Sequence, residues 1–313
     1  MKKVVVIGGG TGQSVILRGL KNIPDIKLST IVTVADDGGS TGRLRENYRM
    51  PAMGDIRNVM VALAESETLL SSLMDYRFEG SGDVAGHNLG NLLLTALTQI
   101  SGNFLEAIQT FSRVLRVKGE IIPSTTQIVN LIAVMEDGTK VKGESNIPKF
   151  HNRIEKVYYQ ERVYATRRAI SAIESADYII FGIGSLYTSI MPNIIIPEIN
   201  QALKKSKSKK IYFCNVMSQP GETDHFTLED HVTAIEKHSY KGIIDVVVTH
   251  NNILYSEVLE NYRKEDSYPI WIADKEHAYK LVKKDLLKFD DDLIRHDSEK
   301  VKSAFEELLE VKE

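Results

Sequence analysis

The stretch Met1-Lys2-Lys3-Val4-Val5-Val6-Ile7-Gly8-Gly9-Gly10-Thr11-Gly12-Gln13-Ser14-Val15-Ile16-Leu17-Arg18-Gly19-Leu20 decides the fold. Val4 to Ile7 is an unbroken β-branched run, the pattern of a strand buried on both faces in a parallel sheet. Glycines follow it, and Ser14 to Leu20 reads as a helix. Leu28 to Ala35 is a second apolar strand, so residues 4–35 form a βαβ unit. A strand that runs through glycines into a helix brings backbone N–H groups and a positive helix end to one point. Phosphate binds at such a point because donors converge there and no Cβ blocks its approach. The dinucleotide fingerprint G-x-G-x-x-G fails in both frames, since its third glycine falls on Gln13 or on Val15. That excludes a dehydrogenase. No Gly-Lys-Ser/Thr ending is present, so the loop is not of the Walker type either.

Outward from this unit, Asp55 to Ala64, Leu89 to Ile100 and Phe104 to Leu115 carry apolar residues at helical spacing. Ile128 to Met135 and Thr139 to Val141 flank an Asp137-Gly138 turn and predict a β-hairpin, with Ile154 to Tyr159 as a further antiparallel strand. Alternating order returns with the helix Arg167 to Ser175 and strands at Tyr178 to Phe181, Ile211 to Asn215, Ile243 to Thr249 and Ile270 to Ala273. Glu299 to Leu309 closes the chain as an amphipathic helix, and Lys204 to Lys210 is a charge run at a solvated helix end. The expectation is one α/β domain over residues 1–313: a doubly wound, mostly parallel, Rossmann-like sheet with a hairpin insertion at about 120–160.

The chain has 313 residues, 42% of them hydrophobic, and a formal charge of −3 with both signs interspersed. No basic tract suits nucleic acid. The lone Cys214 excludes an intrachain disulfide, fits a reducing compartment, and sits in an apolar run as a small core residue. The N-terminal apolar run is too short for a signal peptide, and no segment is long and apolar enough to span a bilayer. The expected location is the cytoplasm.

Five glycine-bearing polar loops fall just after a strand or just before a helix. The first offers Gly9, Gly10, Thr11 and Gly12 to a phosphate. The second, Asp36-Asp37-Gly38-Gly39-Ser40-Thr41-Gly42-Arg43, follows the second strand. Asp36 or Asp37 suits Mg²⁺ binding, a hydrogen bond from a substrate hydroxyl, or service as a base; an Asx turn is the plainer use. Ser40 and Arg43 suit phosphate, although Arg43 equally suits a neighbouring carboxylate. In the third, Asp55 is either a helix cap or a ligand contact, beside Asn58. The fourth carries His87 and Asn91, the histidine able to donate to phosphate or to titrate near neutrality. The fifth runs Gly184-Ser185-Leu186-Tyr187-Thr188-Ser189.

In order and spacing, these motifs resemble the YvcK group of the CofD superfamily, and Asn215-Val216-Met217-Ser218-Gln219-Pro220-Gly221-Glu222-Thr223 and Arg295-His296-Asp297 extend the resemblance over nearly the whole chain. The chain departs from the family at Met50-Pro51-Ala52-Met53, where members usually carry two prolines. The resemblance implies a gluconeogenesis factor. Such a protein would bind UDP-sugars such as UDP-N-acetylglucosamine and support cell shape and wall integrity in bacteria growing on gluconeogenic carbon. It would act without turnover, through cell-wall synthesis or regulatory proteins. On this reading Asn215 and Arg295 contact uridine or sugar, and Gly184, Ser185, Tyr187 and Thr188 form a second edge of the site. The alternative branch is a 2-phospho-L-lactate transferase that uses an activated nucleotide and Mg²⁺ to build a deazaflavin cofactor, with Asp36 and Asp37 in the catalytic and metal roles. A homodimer is the expected assembly.

Overall fold

The computed structural model describes residues 1–65, 68–290 and 293–310. The chain opens with β1 (Lys2–Gly8), α1 (Gly10–Leu20) and β2 (Ile26–Val32), the βαβ unit read from the sequence. Val4 to Ile7 are all buried, and β1 pairs in parallel with β2 from Lys2 opposite Ile26 to Gly8 opposite Val32. The helices α2 (Gly39–Tyr48), α3 (Gly54–Leu63), α4 (Thr68–Asp75), α5 (Leu89–Ser101) and α6 (Phe104–Val114) lead to β3 (Glu120–Pro123). A small antiparallel sheet follows, made of β4 (Leu131–Met135), β5 (Lys140–Lys142) and β6 (Ile154–Tyr159) in the order β5-β4-β6. A 3₁₀ segment, Glu144–Phe150, links its last two strands. The chain then runs through α7 (Arg167–Glu174), β7 (Tyr178–Phe181), a short π-helical turn (Leu186–Ile190), α8 (Met191–Ile194), α9 (Pro197–Lys205) and β8 (Lys209–Phe213). It ends with α10 (Leu228–His238), β9 (Val246–His250), α11 (Ser256–Lys264), β10 (Lys280–Lys284), the hairpin β11 (Leu287–Asp290) and β12 (Leu293–His296), and α12 (Ser298–Glu310).

Seven strands form the main sheet in the order β10-β9-β8-β7-β1-β2-β3, every pair parallel. From β1 the chain winds outward to β2 and β3, then returns to β7 on the other side of β1 and winds away through β8, β9 and β10. The winding direction therefore reverses between β1 and β7. In an open parallel sheet, the loops leaving two such strands diverge to opposite faces and leave a crevice at their carboxyl ends. Here those two loops are Gly8–Gly10 and Gly182–Ser185.

Three expectations need correction. Glu120–Pro123 is not part of the insertion: it pairs with β2 at the edge of the main sheet, and the antiparallel strands begin at Leu131. Ile270–Ala273 is not a strand. It is an extended crossing, held by the Ile270 N–H on the Val216 carbonyl and the Ala273 N–H on Glu229, and the edge position belongs to Lys280–Lys284. The second polar loop is shorter than expected, because α2 starts at Gly39. Among the described residues no helix is long and apolar enough to cross a membrane.

Candidate functional site

The crevice at the reversal point is a cleft of about 320 Å³ lined by Gly9, Gly10, Thr11, Gly12, Gly184, Ser185, Ser189 and Asn215, with Met217, Gln219, Tyr262, Ile294 and His296 opposite. A second cleft of about 630 Å³ adjoins it and shares Thr11, Gly12, Ile183 and His296; its wall adds Val15 and Ser298, the cations Arg18, Lys288 and Arg295, and the acids Asp297 and Glu299. Seven of the sequence-derived candidates thus surround one cavity, and Arg295 stands in its extension.

The glycines are there because the chain passes too closely for side chains. A Cβ on Gly12 would lie 2.5 Å from the Ile183 carbonyl oxygen, and one on Gly9 would lie 2.4 Å from Oδ2 of Asp55. Gly10 holds a left-handed φ of +66°, which L side chains rarely adopt. Gln13, where the dinucleotide frame fails, is fully buried beneath the loop. Its Nε2 donates to the Val6 carbonyl at 3.2 Å, Thr30 Oγ1 at 2.7 Å and the Ile31 carbonyl at 3.2 Å. The amide takes the space a third glycine would leave and ties the loop to β1 and β2. The opposite lip is fixed in a similar way: Asn215 accepts the Gly184 N–H at 3.1 Å and donates to the Gly184 carbonyl at 2.8 Å. Asn215 therefore acts first as the clamp of the second glycine turn.

Behind the glycine loop lie four acids. Asp55, in the first turn of α3, accepts the Gly10 N–H, and burial together with the Asp36 charge pushes its carboxyl up to about 7. Asp36 closes an Asx turn on the Gly38 N–H at 2.9 Å, and burial raises it as well. Glu144 is pushed up to about 8 by burial and by Asp36 and Asp55, against a hydrogen bond from Thr188. Glu222 is buried, accepts the Ser185 and Thr188 hydroxyls and the Tyr187 N–H, and is raised by desolvation.

Asp37 does something else. Its two carboxylate oxygens accept the N–H groups of Ser145 at 2.9 Å and Glu144 at 3.2 Å, so it holds the 3₁₀ segment and sets Glu144 in place. Asp36 thus binds the start of α2 and Asp37 the 3₁₀ segment. Among the described residues no group of three or more His, Cys, Asp or Glu side chains is placed to hold a metal ion. A Mg²⁺ ion held through Asp36 alone would have to complete its octahedron with ligand phosphate oxygens and water.

The other candidates fall outside the cleft. Ser40 pairs with His87 Nδ1 at 2.9 Å and accepts from Asn91 at 3.2 Å, a buried network between α2 and α5. Burial and the nearby Arg43 and Arg77 hold His87 below its usual range, so it is neutral at pH 7. Arg43 donates to the Ala85 carbonyl at 2.7 Å, and the Asn58 side chain accepts from Arg57 at 2.7 Å. Tyr187 is buried against Phe226 and His238 with its hydroxyl on the Ile154 carbonyl, which joins the turn after β7 to the antiparallel sheet. Thr188 lies between, on Ser185 and Glu222.

Sequence reasoning missed Glu144, Glu222 and His296 as site residues. Glu222 had a signal, since it stands in a Pro-Gly-marked loop after β8, at the same carboxyl edge as the other loops. Glu144 had none, because only the fold-back of the insertion brings it there. His296 is buried, its Nε2 has no protein hydrogen-bond partner, and burial beside His250 pushes it down to about 4.

Fold and cleft together define a doubly wound α/β protein whose switch-point crevice opens on a glycine-lined helix N-terminus. The chain belongs to the CofD family, whose model, described as 2-phospho-L-lactate transferase CofD, matches residues 4–287. It is 43% identical over 311 residues to the gluconeogenesis factor of Bacillus subtilis, covering 98% of each chain. It is 45% identical over 309 residues to that of Halalkalibacterium halodurans, covering 97% of this chain and 95% of the relative. The crystal structure of a UPF0052 family member from Bacillus halodurans superposes with a TM-score of 0.93 at 44% identity, over 97% of this chain and 99% of that one.

Proposed function

We propose that this protein is a gluconeogenesis factor that binds a UDP-sugar, such as UDP-N-acetylglucosamine, in the paired clefts and signals its supply without consuming it. On this reading it acts in the cytoplasm, on cell-wall synthesis or regulatory partners, and sustains cell shape and wall integrity when sugars must be made from smaller carbon compounds. The observation that carries the proposal is the cradle itself: Gly9 to Gly12 open the start of α1, and Thr11 and Gly12 line both clefts. A diphosphate over these residues meets N–H donors and the positive end of the helix. Uridine and sugar then extend into the two clefts, one rimmed by Asn215 and the other by Arg295. Both clefts have volumes of the order ligand pockets require.

The test is calorimetric titration with UDP-N-acetylglucosamine, UDP-glucose, GDP and NAD, repeated on Thr11→Glu. Thr11 is exposed in the first turn of α1, where an acidic side chain favours the helix and the fold is kept. Against a diphosphate at roughly 5 Å and intermediate dielectric, the new charge costs about 2 kcal/mol, or roughly 30-fold in affinity. Unchanged affinity in Thr11→Glu would remove the diphosphate from this cradle.

One observation favours the transferase reading: Asp55, pushed up to about 7, has the pKa a general base needs at neutral pH. In that reading an acceptor hydroxyl gives its proton to Asp55 as its oxygen attacks the phosphorus of the activated nucleotide; the new P–O bond forms as the phosphoanhydride P–O bond breaks, and the nucleoside monophosphate leaves. Product formation dependent on Mg²⁺ and absent in Asp55→Asn, with nucleotide binding kept, would select it over the sensor.

A further inference from the structure

The two clefts differ in chemistry, and β12 stands between them. Successive side chains of a strand point to opposite faces, so Ile294 lines the first cleft and Arg295 the second. The strand is fixed from α11, where the Tyr262 hydroxyl donates to the Ile294 carbonyl at 3.1 Å and accepts its N–H at 2.8 Å. On the first side Val216, Met217, Tyr262 and Ile294 offer apolar surface, which suits the faces of a nucleobase. The second side carries charge.

Lys288 stands directly opposite Arg295 in the β11–β12 ladder, and both line the second cleft. Side chains paired in this way share a face, and like charges so placed repel. The ion pair of Lys288 with Asp290, at 3.5 Å, is solvent-exposed and offsets little of this. A third cation comes from α1. Thr11, Val15 and Arg18 fall at i, i+4 and i+7, so one face of the helix lines the cleft from the glycine cradle to Arg18. Three cations thus stand against two acids. Those acids have partners of their own: Asp297 accepts the Glu299 and Lys300 N–H groups at the start of α12, at 2.9 and 3.0 Å, and Glu299 is 3.7 Å from Lys302.

A diphosphate on the cradle leaves this positive excess unused. Seven residues of helix rise roughly 10 Å, so Arg18 begins that far beyond Thr11. A sugar linked to the diphosphate runs along this face of α1, and its outer substituents meet the cationic end of the cleft. Arginine and lysine there suit a carboxylate. Resting on the UDP-sugar reading, we infer that the second cleft selects nucleotide sugars whose sugar bears a carboxylate, held by Arg18, Lys288 and Arg295.

The experiment is calorimetric titration with two pairs of ligands. UDP-glucuronate carries a carboxylate where UDP-glucose has a hydroxymethyl group, and UDP-N-acetylmuramate adds to UDP-N-acetylglucosamine a lactyl ether that ends in one. In at least one pair the acid is expected to bind about tenfold tighter, the gain of a carboxylate roughly 5 Å from two cations in a solvated cleft. That ratio should shrink at high salt and fall about threefold in Lys288→Gln, whose exposed position keeps the fold, as circular dichroism checks. UDP-sugars that bind with no preference for the acid in either pair overturn the inference and leave the UDP-sugar reading standing. Binding by none of the four overturns that reading as well. An acid preference that survives unchanged in both Lys288→Gln and Arg295→Gln puts the carboxylate elsewhere and also overturns the inference.

Discussion

Asp55 and the anion cradle compete for the same N–H group, and replacing Asp55 by Asn should expose that competition. The carboxyl accepts the Gly10 N–H and sits against Gly9, where its Oδ2 is 2.4 Å from the place a Cβ would take. Burial and Asp36 have moved it from 3.8 to about 7. A phosphate on the loop adds negative charge beside it and favours the neutral acid further. If the anion binds only when Asp55 is protonated, apparent affinity falls tenfold per pH unit above 7, so that going from pH 6 to pH 8 costs about 1.4 kcal/mol. Binding above pH 7 also takes up close to one proton. Calorimetry with UDP-N-acetylglucosamine in buffers of different ionisation enthalpy reads both quantities. Asp55→Asn should bind with the wild-type low-pH affinity at every pH and take up no proton. The same linkage acts on folding. Because the folded-state pKa is raised, the stability tied to neutral Asp55 is complete below 3.8 and lost as pH rises through about 7. The Asn variant should therefore be more stable than wild type at pH 8, by on the order of 4 kcal/mol. A wild-type affinity that is flat between pH 6 and 8, or an Asn variant with the same slope, would refute the competition.

Three further outcomes follow from the geometry. Gly12→Ala drives a methyl group to 2.5 Å from the Ile183 carbonyl oxygen and should lower stability by several kcal/mol in urea denaturation. Asp37→Ala strips the acceptor from the Glu144 and Ser145 N–H groups; a loss of about 1–3 kcal/mol is expected, with Asp37→Asn, which keeps one oxygen, losing less. The Cys214 thiol is buried and pushed up to about 12, so it should resist a disulfide reagent at pH 8 in the folded protein and react at once in denaturant.

The part of the fold legible in the sequence is the part where burial is two-sided. Val4 to Ile7, Tyr178 to Phe181 and the apolar residues of β8 and β9 lie inside the sheet, and their unbroken apolar runs announce it. The edges were hidden for the converse reason. β10 reads Lys-Leu-Val-Lys-Lys because an edge strand keeps its lysines in water, and β3 is only four residues long and ends in proline, tolerable where one side has no neighbour. Ile270 misled because it is apolar and buried, yet it packs from a crossing loop. Helix α2 buries mainly small and polar residues with Leu44 and Arg45, leaving no apolar stripe to read. The glycine loops were legible because close passage of backbone selects glycine whatever the rest of the chain does. The role of Asp37 was not, since its partners Glu144 and Ser145 lie more than a hundred positions away and meet it only after the hairpin folds back.

The buried amide of Gln13 has a kinetic consequence. Bound at once to Val6, Thr30 and Ile31, it holds the loop above it in its final shape before any ligand arrives. An incoming anion then needs no slow rearrangement of the loop to find its donors. Its encounter rate should depend linearly on concentration, without the plateau of a conformational step. Differences among ligands would appear in how long each one stays.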